Sequence, residues 1–208
     1  MIISLTGFMG CGKSSVGREL SKLLCCPFMD LDDIIEKKSG RSISDIFKTE
    51  GEASFRHMEL ESLRELAGQM PICSRGPLPL RGSLPLAGGG KMPLPHKWHT
   101  DQNSADPDKN IQVLALGGGT VMTPECAELV HEKTLCVYLR ASVETLVSHL
   151  EDESSGRPML KGESLRARIQ ELMDLRSATY ENTAHIIIDT DGKSIEAIAS
   201  EIASTILN

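Results

Sequence analysis

The sequence predicts an α/β protein, a three-layer sandwich in which a five-stranded parallel sheet is covered by helices on both faces. Three observations carry that expectation. Five short apolar runs alternate with stretches whose apolar residues recur at helical spacing, as a parallel sheet with crossover helices requires. The 208 residues suffice for one substantial core, and by length for a single domain spanning 1–208. The residues best suited to chemistry follow directly after strands, where ligands bind in open sheets of this kind.

The first strand is IISLT, with Ile2, Ile3 and Leu5 as its apolar residues, and the helix behind it repeats Val16, Leu20, Leu23 and Leu24. CPFMD (26–30), QVLAL (112–116), LCVYL (135–139) and HIIID (185–189) read as the other four strands. Glu52 to Ala67 reads as a helix that places Arg56, Glu59, Leu60 and Leu63 on one stripe. Later helices are marked by Val143, Leu146, Val147 and Leu150, and by Leu165, Ile169, Leu172 and Met173. The stretch 68–110 breaks the pattern, because prolines every few residues prevent both a helix and a central strand. It is predicted to be a long loop or a disordered insertion. Its Gly88 to Gly90 imitates Gly117 to Gly119, but only the later triplet follows a clean strand.

Composition narrows the function. A net charge of −7 argues against nucleic acid as a partner. No apolar run is long enough to cross a bilayer, and the N-terminal apolar stretch, with no basic residues before it, reads as a buried strand rather than a targeting signal. The six cysteines form no CxxC pair, which suits reduced thiols. A cytoplasmic enzyme, expected to be a monomer, is consistent with all three.

GFMGCGKSS, Gly7 to Ser15, joins the first strand to the first helix. Its spacing of Gly7, four residues, Gly12, Lys13 and Ser14 is that of a loop whose backbone N–H groups wrap a phosphate chain. Gly10, Cys11, Gly12, Lys13, Ser14 and Ser15 are therefore candidates for holding nucleotide phosphates, with the lysine on the outer ones and the Ser14 hydroxyl on Mg²⁺. The helix N-terminus adds a partial positive charge. A plain glycine turn capping a helix is the alternative.

Asp30 and Asp32 stand two apart at the end of the second strand, which puts both side chains on one face. One carboxylate can hold a metal's hydration shell and the other can accept the proton of an attacking hydroxyl; equally, both can be caps of the next helix. Arg56 on a buried helix edge needs a partner, which Glu59 one turn on can supply, and Arg176 falls beside the apolar face of a later helix with Tyr180 a turn further. Two arginines on inner helix edges suit a bidentate clamp on a carboxylate. In EDESSGRPMLKGE, Arg157 precedes a proline within a polar stretch, which fits a closing lid or an exposed linker.

GFMGCGKS, FMDLD, GRSISDIF, FRHME, ALGGGTV, GRPML and RSATY occur in the order and approximate spacing of shikimate kinase, a P-loop family, and the chain resembles it from Met1 to about Ala67 and from Ile111 onwards. The resemblance implies ATP-dependent phosphorylation of shikimate, with Mg²⁺. It implies that Lys13 and the loop backbone bind the ATP phosphates, Ser14 ligates the metal and Asp30 supports it through water. It implies that Asp32 meets the accepting hydroxyl, Arg56 and Arg176 hold the carboxylate, and Gly117, Gly118 and Gly119 approach the ring. Arg157 becomes the lid arginine, with Lys13 and Asp32 as its catalytic companions. Residues 34–67 become a helical substrate-binding subregion and 151–163 a lid. No arginine lies between His149 and Arg157, and DTDGKS has no proline, both departures from some relatives. A kinase for another small hydroxy acid such as gluconate, and an inactive nucleotide-responsive binding module, are the rival readings.

Overall fold

The computed structural model describes residues 1–68, 111–153 and 163–207. The insertion and the lid, including Arg157 and the glycine triplet at 88–90, lie outside the described residues except at their ends. Five strands, β1 (Ile2–Thr6), β2 (Phe28–Asp30), β3 (Gln112–Ala115), β4 (Leu135–Arg140) and β5 (Ile186–Asp189), form one sheet in the order β2-β3-β1-β4-β5. Every neighbouring pair is parallel; Ile3 stands beside Val113 on one side and Leu135 on the other. The predicted runs match these strands to within two residues at either end.

Eight helices accompany the strands among the described residues: α1 (Lys13–Leu23), α2 (Leu31–Ser39), α3 (Ile43–Thr49), α4 (Gly51–Gly68), α5 (Pro124–Lys133), α6 (Val143–Glu153), α7 (Glu163–Thr183) and α8 (Ile195–Leu207). Strand side chains alternate between two apolar cores, which is what buries both faces of the sheet. Ile3, Leu5, Val113, Val137 and Leu139 pack with Val16 and Leu20 of α1 and with Ile198 and Ile202 of α8. Ile2, Leu114, Cys136 and Tyr138 face the other way, onto Leu31, Phe55, Leu63, Val130 and Tyr180. Strand β1 is buried throughout, so its carboxyl end delivers the glycine loop from a fixed base.

Because β1 and β3 are adjacent and parallel, the loop after β1 and the triple glycine after β3 emerge side by side. β2, on the far side of β3, ends at Asp30 in register with Ala115. Topology thus gathers three separate stretches of sequence on one edge of the sheet.

Candidate functional site

The glycine loop closes tightly against the strands. A side chain at Gly7 (φ 144°) would put its Cβ 2.6 Å from the Leu139 carbonyl oxygen, so the turn out of β1 admits only glycine. Gly12 caps α1 in the left-handed region (φ 86°) and contributes no side-chain cap, which leaves the first-turn N–H groups of α1 for another acceptor. Lys13 Nζ donates to the carbonyls of Gly7 (3.0 Å) and Phe8 (2.9 Å), so its charge sits within the loop. Cys11 is buried, Ser15 is exposed, and Gly10 offers its carbonyl to His149 of α6 at 2.8 Å.

Ser14 Oγ donates to Asp30 Oδ2 at 2.7 Å, joining the start of α1 to the end of β2. Asp30 is also the N-cap of α2: its other carboxylate oxygen accepts from the Asp32 N–H at 3.1 Å. The two aspartates do not share a strand face, as strand alternation predicted, since β2 ends at Asp30 and Asp32 lies in the first turn of α2. They converge because the capped turn folds Asp32 back towards the sheet edge. The capping role and the metal-supporting role, set against each other in the sequence, are compatible on this one residue.

The triple glycine shows how close the parts come. A Cβ on Gly117 would lie 2.9 Å from Thr120 Oγ1, 3.0 Å from Glu59 Oε1 and 3.2 Å from Asp32 Oδ1. One on Gly118 would lie 3.1 Å from the Met9 backbone nitrogen of the phosphate loop, and one on Gly119 2.5 Å from Arg56 Nη2. The absence of side chains here lets α4, α2 and the phosphate loop meet around a single stretch of backbone.

Arg56 is the bridge from α4. Its guanidinium pairs with Glu59 (Nη1 to Oε2, 2.6 Å) and Glu52 (Nη2 to Oε1, 2.9 Å). Glu59 is fully buried and accepts a hydrogen bond from the Thr120 hydroxyl through its other oxygen. Burial alone would lower the Arg56 pKa, but the Glu59 and Glu52 carboxylates outweigh it and hold the cation firmly charged. Arg176, on α7, lies over the Phe8 ring of the phosphate loop at 5.9 Å. The phenol of Tyr180, one turn later, donates to the Gly118 carbonyl.

Asp32 carries the strongest electrostatic signature of the site. Burial, then the Asp30 and Glu59 carboxylates, raise its pKa from 3.8 to about 6, while Lys13 pulls the other way. Its Oδ1 is buried and has no hydrogen-bond partner among the described residues. A carboxylate oxygen in that condition is poised to accept from a hydroxyl group.

A family model described as shikimate kinase matches residues 9–76 and 105–207. The chain belongs to the shikimate kinase family. It is 36% identical over 200 residues to a shikimate kinase of Thermus thermophilus, covering 96% of this chain and 86% of that one. A shikimate kinase of Dictyoglomus turgidum is 35% identical over 202 residues, covering 96% and 94%. Among solved structures, shikimate kinase from Acinetobacter baumannii in complex with shikimate has a TM-score of 0.73 at 29% identity, covering 99% of this chain and 92% of that one. The shikimate kinase of Aquifex aeolicus has a TM-score of 0.68 at 27% identity, covering 99% and 96%. The family and the α/β sheet architecture expected from the motifs are both as found.

Of the residues predicted for a shikimate kinase site, Gly10, Cys11, Gly12, Lys13, Ser14 and Ser15 form the loop and the start of α1, and Asp30, Asp32, Arg56 and Gly117 to Gly119 interlock beside it. Arg176 reaches the same edge through Phe8. Arg157 lies outside the described residues. Sequence reasoning passed over Thr120 and Glu52, and gave Tyr180 no role. Only the position of Thr120 directly after the glycines hinted at its involvement.

Proposed function

We propose that the chain transfers the terminal phosphoryl group of ATP to the 3-hydroxyl of shikimate, giving shikimate 3-phosphate and ADP on the way to aromatic amino acids. The observation that carries this reading is the buried, unpartnered Asp32 Oδ1, set between a phosphate-binding loop and an arginine. At neutral pH a carboxyl group with a pKa of about 6 is mostly ionised, so it can orient the acceptor hydroxyl and take its proton. The hydroxyl oxygen forms the new bond to the γ-phosphorus, the bond to the β–γ bridging oxygen breaks, and ADP leaves with that electron pair. Lys13 and the α1 N-terminus stabilise the charge on the phosphates, while Arg56 and Arg176 hold the carboxylate and so aim the ring. The Gly117 to Gly119 backbone lies against the ring, and Arg157, on a lid of residues 151–163, adds charge on closure.

Ser14 and Asp30 suit Mg²⁺. A hydroxyl and a carboxylate 2.7 Å apart beside the phosphate loop are hard oxygen donors, one for direct contact and one for contact through water. When bound, the ion supplies neutralisation of the phosphate charge. Residues 34–67 serve as the acceptor-binding part of a single P-loop kinase domain, since α4 brings Arg56 and Glu59 up to Asp32. A monomeric cytoplasmic enzyme acting on small molecules, without nucleic acid or membrane, completes the reading; among the described residues no helix is long and apolar enough to cross a membrane.

ADP release measured with shikimate, with gluconate and with no acceptor tests it. Fast release with shikimate alone supports the proposal. Preference for gluconate selects a different hydroxy acid, and release with neither acceptor despite ATP binding selects the inactive module.

A further inference from the structure

A buried hydroxyl is costly unless its hydrogen bonds are made, and a phenylalanine would fill the same space in a core. Tyr180 nevertheless sits fully buried on α7, its ring stacked on Tyr138 of β4 with centroids 5.1 Å apart. Its single proton goes to the Gly118 carbonyl, 62 residues away in sequence. That leaves the phenol oxygen's lone pairs free to accept. Arg176 is four residues earlier on the same helix face, near enough for its positive charge to act on this phenol. Burial raises the Tyr180 pKa to about 12, so the phenol keeps its proton, and its donation to Gly118, throughout the working pH range.

The hydroxyl is therefore a node. On one side, one helical turn away, stands Arg176, whose guanidinium lies over Phe8 of the phosphate loop. On the other the hydroxyl fixes the Gly118 carbonyl, in a stretch of backbone whose next residue, Gly119, lies directly against the Arg56 guanidinium. One arginine lies against Gly119, and the other stands one helical turn from the phenol that holds Gly118. The spacing of the two cations, and so their bite on a planar carboxylate, depends on that phenol.

We propose that Tyr180 is a positioning residue, whose hydroxyl ties Arg176 to the Gly117–Gly119 loop and sets the geometry with which the two arginines receive the acceptor's carboxylate. This rests on the reading that Arg176 grips that carboxylate, and the experiment separates the two. Tyr180→Phe keeps the ring, its stacking and its volume, so the fold persists. kcat and KM are measured for shikimate and for its methyl ester, which lacks the negative charge.

With shikimate, the expected result for Tyr180→Phe is a KM raised about tenfold, with kcat and the KM for ATP each within about twofold of the parent. With the ester, parent and variant agree to within about twofold. Equal losses on acid and ester, or a loss confined to kcat, identify a merely structural role and overturn the proposal. Arg176→Ala run in parallel tests the underlying reading. If it fails to discriminate acid from ester, that reading and the proposal fall together; if it discriminates and Tyr180→Phe does not, the proposal alone falls.

Discussion

Replacing Asp32 with asparagine separates what that side chain does for the reaction from what it costs the fold. A carboxyl group whose pKa is raised in the folded protein is stabilising below its unfolded value, and that contribution is lost as pH climbs through the folded value. For Asp32 the window runs from 3.8 to about 6, and across it the ionised form costs about 3 kcal/mol. Solvent reaches part of the side chain, so about 1–2 kcal/mol is the realistic gain when Asp32→Asn removes the charge at pH 7. In a protein of this size that raises the melting temperature by roughly 2–8 °C. Turnover, by contrast, falls at least about a hundredfold, because asparagine cannot take the hydroxyl proton. Thermal unfolding at pH 5 and pH 7, beside a coupled ADP assay, reads both effects. In the parent enzyme kcat/KM should rise with an apparent pKa near 6, a limb absent from the variant. A variant less stable at pH 7 than the parent, or one that keeps most of its turnover, refutes the reasoning.

Other substitutions probe the rest of the site and one remote feature. Arg56→Ala leaves Glu59 fully buried with, among the described residues, only the Thr120 hydroxyl as partner, so stability measured by urea unfolding should fall by about 2–4 kcal/mol, beyond any loss of activity. A drop below about 0.5 kcal/mol contradicts this. Ser14→Ala removes the hydroxyl that meets Asp30, and the Mg²⁺ concentration for half-maximal activity should rise at least about fivefold while the melting temperature stays within about 3 °C. Away from the cleft, His185 accepts from the Cys136 N–H at 3.0 Å and stacks on His131, and burial followed by its neighbour's charge depresses its pKa to about 4. The unfolded chain then binds a proton that the folded one refuses, so stability present above pH 6.5 is lost on acidification to pH 4, by about 1–2 kcal/mol once solvent access to part of the ring is allowed for. His185→Asn, which retains an acceptor for Cys136, should flatten that acid limb in a pH series of urea melts.

The strands and most helices were legible because both sheet faces are buried: runs such as QVLAL must be apolar on both sides to serve two cores. The phosphate loop was legible because its glycines are sterically required, as Gly7 shows. Glu59 could be assigned to Arg56 since helical spacing and the cost of an unpaired buried charge both demanded a partner. The convergence of Asp30 and Asp32 was reached by the wrong route, for strand alternation says nothing about a helix that begins at residue 31. Thr120 and Tyr180 were hidden for a different reason. Their hydroxyls act across 61 and 62 residues of sequence, and no local period encodes contacts made only once β3, α4 and α7 have packed.

The most direct test of the whole picture is a crystal structure of the protein with shikimate and ADP bound. Expected is the shikimate 3-hydroxyl about 3 Å from Asp32 Oδ1 or closer, with the carboxylate shared by Arg56 and Arg176 and the ADP phosphates along the α1 N-terminus. A shikimate ring bound with its carboxylate away from both arginines, or with no hydroxyl near Asp32, contradicts it.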